Sequence, residues 1–202
     1  MPAADLQTMV IATRNAGKLR EFRSLLASLG SRILSLNDLS LEVELEESGD
    51  SFAENARLKA VGYSCLTPYP VLADDSGLEV EALGGRPGIY SARYAGPNAS
   101  DADRIRKLLH ELEQSAAPRS ARFVCALALA REGALILEAE GECRGIIADE
   151  PCGNNGFGYD PVFLIPELGK TYAELTDSEK NVHSHRARAV ASLIDQFVNR
   201  QP

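Results

Sequence analysis

At 202 residues the chain suits one domain, or one core split into two lobes. A hydrophobic content of 45% with 25% charged residues is that of a soluble globular protein and leaves little room for disorder. A net charge of −8 and a pI near 5.0 exclude the broad basic face of a nucleic-acid binder, although a nucleotide ligand needs only a local cluster of cations.

In chain order, the first seven residues lack both a basic and an apolar segment, so no signal peptide is expected. Met9 to Thr13 reads as a short buried strand. It passes through Arg14-Asn15-Ala16-Gly17 into a helix with Leu19, Phe22, Leu25, Leu26 and Leu29 on one face, ended by Gly30. Ile33 to Leu36 suits a second strand. Leu39 to Glu47 alternates apolar and acidic residues, the pattern of a half-exposed strand. Ser51-x-x-Glu54 is a capping box opening a helix that buries Phe52, Ala56 and Tyr63. Pro68 and Pro70 then separate this helix from an apolar strand expected to end at Asp74 and Asp75.

Leu78 to Leu83 alternates again and gives way to a loop at Gly84-Gly85-Arg86-Pro87-Gly88. Ser100-x-x-Asp103 caps a third predicted helix with Ile105, Leu108, Leu109 and Leu112 inward. Arg122 to Ala130 and Leu135 to Ala148 read as long strands joined as a hairpin through Arg131-Glu132-Gly133. Phe123 to Ala130 is also the longest apolar stretch, far short of the ~20 residues of a membrane span. Gly153 to Gly158 is a second glycine-rich loop, ahead of a strand at Val162 to Ile165. Thr176-x-x-Glu179 opens a last helical region with Val190, Leu193, Ile194 and Phe197 on its apolar face. The mixture of crossovers and a hairpin predicts an α/β fold on a mixed sheet with flanking helices. Cys65, Cys125, Cys143 and Cys152 show no metal-binding spacing, so free thiols and a cytoplasmic location are expected.

Four constellations can carry chemistry. Thr13-Arg14-Asn15-Ala16-Gly17-Lys18 turns a strand into a helix N-terminus, where free amides and the helix dipole favour phosphate and Lys18 adds a full charge. It is not a Walker A loop, which needs glycine at Ala12 and Ser or Thr at Leu19. Asp74, Asp75, Glu46 and Glu47 form an acid set suited to Mg²⁺ and to activating water, as phosphoanhydride hydrolysis requires. Gly156-Phe157-Gly158-Tyr159-Asp160-Pro161 offers backbone access, a stacking ring and an acceptor for base or ribose. Lys180 with Ser184-His185-Arg186 supplies donors for a carbonyl-rich ring edge. On one continuous helix Lys180 and His185 would lie about 140° apart, so a break near His183 with Ser184 as the next N-cap is expected.

Taken together, these segments resemble the inosine triphosphate pyrophosphatase family, also called dITP/XTP pyrophosphatases. The resemblance runs from Val10 to about Phe197. It is carried by Ala12 to Lys18, Phe52 to Ala60, Ala73 to Leu78, Pro87 to Tyr94, Gly156 to Pro161 and Ser184-His185-Arg186, in the family's order. It implies one domain over residues 1–202, an elongated α/β structure with two lobes around a central nucleotide cleft, and a homodimer. The implied activity is Mg²⁺-dependent conversion of ITP, dITP or XTP to the monophosphate and pyrophosphate. Asp75 would be proton acceptor and metal ligand, with Glu46 as the other acidic ligand and Glu47 the fallback for a one-residue shift. Thr13, Arg14, Asn15, Ala16, Gly17 and Lys18 would hold the triphosphate, with Ser76 and Lys59 beside it. Phe157, Gly158, Tyr159, Asp160, Lys180, His185 and Arg186 would hold sugar and base. Arg14 departs from the family, many of whose members carry glycine there. Partners other than nucleotide and a second copy, such as nucleic acid or membrane, are not expected.

Donors facing the 6-carbonyl of hypoxanthine or xanthine would be left unpaired against adenine, and such sites discriminate by roughly 10⁴-fold. The competing readings are a pyrophosphatase for other modified nucleotides and a nucleotide-binding regulatory module without turnover, which would have no use for the acid set.

Overall fold

The apolar run at Met9 becomes a strand because it can be covered completely: Val10 is fully buried and Ile11 nearly so. The computed structural model describes residues 7–115 and 117–199, so the segment on which the signal-peptide expectation rests lies largely outside the described residues. Its strands are Thr8–Ile11 (β1), Arg32–Ser35 (β2), Val71–Val80 (β3), Ser120–Arg131 (β4), Ala134–Ile147 (β5), Phe163–Ile165 (β6) and Lys170–Thr171 (β7). They form one sheet in the order β2-β1-β3-β4-β5-β6-β7. β1 pairs in parallel with β2 and β3, whereas β6 pairs antiparallel with β5 and β7, which makes the sheet mixed as expected. Among the described residues five α-helices accompany it: Ala16–Leu25 (α1), Phe52–Ser64 (α2), Asp101–Glu113 (α3), Asp177–His183 (α4) and His185–Asn199 (α5). Among the described residues no helix is long and apolar enough to cross a membrane.

The chain sorts into two compact units, each assembled from separate segments. The first holds residues 1–75, 125–141 and 185–202, and the second residues 76–124 and 142–184. The first is organised around Met9, Ile11, Phe22, Leu26, Leu72, Leu127, Val190 and Leu193. Its α5 comes unusually close to β5. A Cβ on Gly141 would sit 2.4 Å from the His185 carbonyl and 2.3 Å from the Ala189 nitrogen, so only glycine fits. The second unit packs α3, through Ile105, Leu108 and Leu112, with an aromatic cluster of Phe123, Phe163 and Tyr172 in the same core. The ring centroids of that cluster lie 4.6 to 5.6 Å apart.

Local signals act as anticipated at most helix starts. Ser100 with Asp103 and Thr176 with Glu179 form reciprocal capping boxes. At α2 the Ser51 hydroxyl accepts from the Glu54 amide, while the Glu54 carboxylate reaches the Asp50 amide instead of that of Ser51. The hairpin turns through Glu132 and Gly133, with φ of 52° and 78°, the doubly positive geometry that matches strand twist. The last helical region breaks at Ser184, whose extended ψ of 155° separates α4 from α5.

Two expectations are corrected. The Leu39–Glu47 segment is not a strand; beyond a short 3-10 turn at Asn37–Leu39, residues 41–49 are irregular. Two of its carbonyls are taken by side chains: Arg14 donates to those of Leu41 and Val43, and the Tyr63 hydroxyl donates to that of Val43. The acid-bearing strand does not end at Asp75. β3 runs on to Val80, with Asp74 only 2% and Asp75 7% exposed.

Candidate functional site

Two carboxylates inside a strand require compensating charge, because an unpaired buried charge costs several kcal/mol or neutralises itself. In the first unit that charge comes from α1 and α2, with Arg186 of α5 adding to it. Asn15 caps α1, its side chain accepting from the Lys18 amide at 3.0 Å, and the Thr13 hydroxyl accepts from the Asn15 amide at 3.2 Å. This start of α1 aims Lys18 at the strand, and its Nζ donates to Asp74 Oδ2 at 2.7 Å. From α2, Asn55 and Lys59 lie one turn apart on the buried face. Asn55 Nδ2 donates to Asp75 Oδ2 at 3.1 Å while its Oδ1 accepts from the Gly49 amide at 2.8 Å. Lys59 Nζ lies 2.8 Å from Glu47 Oε1 and 3.7 Å from Asp75 Oδ1.

This arrangement drives the neighbouring acids apart in ionisation. Burial opposes the charge on Asp74, but Lys18, Lys59 and Arg186 outweigh it and hold the carboxyl well below its ordinary range. Burial dominates at Asp75, and with the nearby Glu47 it outweighs Lys59, Lys18 and Asn55, raising the carboxyl. For Lys59, burial works against the ammonium, and Asp74, Asp75 and Glu47 more than restore it. Adjacent carboxyls tuned in opposite directions are a recurring means of separating a permanent anion from a proton acceptor.

No group of three or more His, Cys, Asp or Glu side chains among the described residues is placed to hold a metal ion. Mg²⁺ needs only one or two carboxylates alongside water and phosphate. Glu47 and Asp75 already draw one cation, the Lys59 ammonium, between them. That donor set fits a divalent ion.

The second unit carries the other cluster. Lys180 Nζ donates to Asp160 Oδ2 at 2.5 Å, and the same oxygen accepts from the Phe157 amide at 2.8 Å. The Lys180 ammonium stands 5.0 Å from the centre of the Phe157 ring and 5.4 Å from that of Tyr172. The Tyr159 hydroxyl donates to the Ser91 carbonyl at 2.9 Å, and the Gly158 amide to Asp101 Oδ2 at 2.7 Å. Gly156 has a φ of 76°, and a Cβ there would meet Asp160 Oδ2 at 2.0 Å.

A family model described as "Ham1 family" matches residues 9–196. The chain belongs to the Ham1 family. It is 52% identical to a dITP/XTP pyrophosphatase of Geobacillus kaustophilus, over 95% of either chain. A dITP/XTP pyrophosphatase of Streptococcus thermophilus is 50% identical over 94% of this chain, which spans only 59% of that longer relative. Among solved structures, a HAM1 protein from Coxiella burnetii has a TM-score of 0.86 and 43% identity, covering 95% of this chain and 98% of its own.

The remaining anticipated residues of this Ham1-family chain fall as follows. Ala16 and Gly17 form the first turn of α1, and the Arg14 guanidinium is directed at the 41–43 backbone. Glu46 is exposed, whereas its neighbour Glu47 reaches Lys59. Ser76 is half-buried on β3 within the second unit. His185 and Arg186 belong to the first unit and are buried, Arg186 Nη1 donating to Glu21 Oε2 at 2.8 Å. Asn55, Glu21 and Asp101 were not singled out from sequence. Asn55 had a signal: an amide four residues from Lys59, on the face that buries Phe52 and Ala56.

Proposed function

We propose that this chain hydrolyses non-standard purine nucleoside triphosphates (ITP, dITP and XTP) between the α- and β-phosphates, releasing monophosphate and pyrophosphate. The observation that carries the reading is the pair of buried carboxyls on β3, Asp74 Oδ2 held 2.7 Å from Lys18 Nζ and Asp75 sharing the Lys59 ammonium with Glu47 at 3.7 and 2.8 Å. A module that only bound nucleotide would gain nothing from burying a second carboxyl beside the first. The similarity to relatives named dITP/XTP pyrophosphatase supports the substrate class.

In this reading Asp75 accepts the proton of a water whose oxygen attacks the α-phosphorus, and the bond to the bridging oxygen breaks to release pyrophosphate. Asp74 stays anionic and holds Lys18 in place. Thr13 to Lys18 present amides and charge to the triphosphate, with Lys59 and Ser76 adding donors. Asp75 and Glu47 are the carboxylates that would hold Mg²⁺, which would supply positive charge to offset that of the phosphates. Glu47 is preferred to Glu46 because it already shares Lys59 with Asp75. Phe157 stacks on the base, Gly158, Tyr159 and Asp160 shape its edge, and Lys180 supplies a donor that favours a 6-carbonyl. The enzyme is proposed to act as a homodimer, following the resemblance. The free thiols of Cys65, Cys125, Cys143 and Cys152 support a place in the cytoplasm.

Pyrophosphate release from ITP, dITP, XTP, GTP, ATP and dUTP, with Mg²⁺ present or chelated, tests this. ITP, dITP and XTP should be turned over well ahead of ATP, and Asp75→Asn should bind nucleotide without cleaving it. Equal turnover of ATP and ITP, or near-normal turnover by Asp75→Asn, would refute the reading.

A further inference from the structure

The glycine-rich loop in the second unit is anchored on one side, where the Asn154 and Asn155 amides donate to the Ala173 carbonyl at 3.1 and 3.0 Å, and is open on the side that faces α3. Asn154, Asn155 and Gly156 are exposed, and a Cβ on Gly158 would meet nothing within 4 Å. Between this loop and α3 lies a cavity of about 930 Å³, lined by Ala102, Ile105, Leu109, Asn154, Gly156 and Phe157 among others. Apolar packing across that gap is incomplete. A polar tie bridges it: the Gly158 amide donates to Asp101 Oδ2 at 2.7 Å. Asp101 is itself oriented, because the Arg104 guanidinium grips its other oxygen. Arg104 in turn donates to the Ala92 and Ala99 carbonyls at 3.0 and 2.6 Å. The chain of contacts runs from the 92–99 turn through Arg104 and Asp101 to the backbone beside Phe157.

We propose that Asp101 is a positioning residue that sets the Phe157 loop for the purine base, acting on substrate binding and not on the bond-breaking step. This rests on the reading of Phe157 and its neighbours as the base site. A charge-assisted bond to a backbone amide is among the stronger hydrogen bonds, and it holds the loop one residue from the ring. Asp101 is only half-buried and α3 keeps its Ser100–Asp103 capping box without it, so substitution leaves the helix intact.

Steady-state pyrophosphate release from ITP by the full chain tests the proposal. Asp101→Ala should raise KM about tenfold with kcat within about twofold, because the loop must then be ordered at the expense of substrate binding. Asp101→Asn keeps one acceptor oxygen for the Gly158 amide but loses the one that Arg104 grips, and should raise KM less than Asp101→Ala does. Inhibition by free pyrophosphate should be the same in all forms, because it lacks a base. Asp101→Ser, too short to reach Gly158 and favourable at a helix start, should reproduce the Ala result if that variant proves unstable. Phe157→Ala separates the two layers of the argument. If it raises KM while Asp101→Ala and Asp101→Ser do not, the positioning role is overturned and the base site stands. If Phe157→Ala leaves KM unchanged, the base site falls and this proposal with it. Equal impairment by Asp101→Asn and Asp101→Ala, or a loss confined to kcat, also overturns it.

Discussion

The same substitution at two neighbouring positions should move stability in opposite directions. Asp74→Asn removes the negative partner of Lys18 and leaves that ammonium beside Lys59 and Arg186 with its counter-charge gone. Breaking one side of a buried ion pair costs about 3–5 kcal/mol. The Lys18 side chain is 17% exposed and Asp74 only 1%, which argues for the lower end, about 3 kcal/mol. With a urea slope of about 2–3 kcal/mol/M, the unfolding midpoint falls by about 1–1.5 M. Asp75→Asn replaces a carboxyl that burial already pushes toward its neutral form, and its amide oxygen can still accept from Asn55. Its midpoint at pH 7 should therefore lie at or above that of the unaltered chain. The pH dependence carries the sign. Because the Asp74 carboxyl is held low in the folded state, its contribution is complete above the unfolded value near 3.8 and is lost as pH falls below it. The gap between Asp74→Asn and the parent should thus be constant from pH 7 to about 5 and close in stronger acid. For Asp75 the raised carboxyl stabilises the fold only in acid, so the benefit of Asp75→Asn should fade as pH is lowered. Urea titrations followed by far-ultraviolet circular dichroism measure both. An Asp74→Asn midpoint equal to the parent at pH 7, or an Asp75→Asn variant less stable than Asp74→Asn, would refute the charge assignment.

Glu47→Gln should raise the Mg²⁺ concentration needed for half-maximal pyrophosphate release by about 10-fold or more, as loss of one of two hard ligands implies, whereas Glu46→Gln should change it little. A Mg²⁺ titration of both variants decides between the neighbours. Gly156→Ala places a methyl group against Asp160 at a left-handed φ, so it should lower stability by about 1–3 kcal/mol and weaken ITP binding while leaving pyrophosphate inhibition unchanged. Thermal melts and calorimetric titration with ITP follow the two effects separately.

What could be read from the sequence was whatever depends on neighbours a few residues apart. The capping boxes at Ser100 and Thr176, the turn at Glu132-Gly133 and the break at Ser184 all follow from local hydrogen-bond geometry or helix pitch. Long-range charge was not legible. The strand continues through Asp74 and Asp75 because Lys18, 56 residues from Asp74, and Lys59 on another helix supply the compensation. Likewise the alternation in Leu39–Glu47 showed which side chains favour burial, not whether a partner strand exists to receive the backbone. Arg14 and Tyr63 take those carbonyls instead. Once the segment is irregular, a period of two no longer says which of Glu46 and Glu47 turns inward.

The chain passes between its two units four times, after Asp75, Val124, Gly141 and Ser184. Three of these passages fall within strands, so β3, β4 and β5 each contribute residues to both units. Neither unit is therefore a gene fragment. No trimming of the termini isolates one, and no simple fusion exchanges one for that of a relative. An exchange that moves a whole unit between relatives has to carry all of its separate segments together, 1–75, 125–141 and 185–202 for the one or 76–124 and 142–184 for the other.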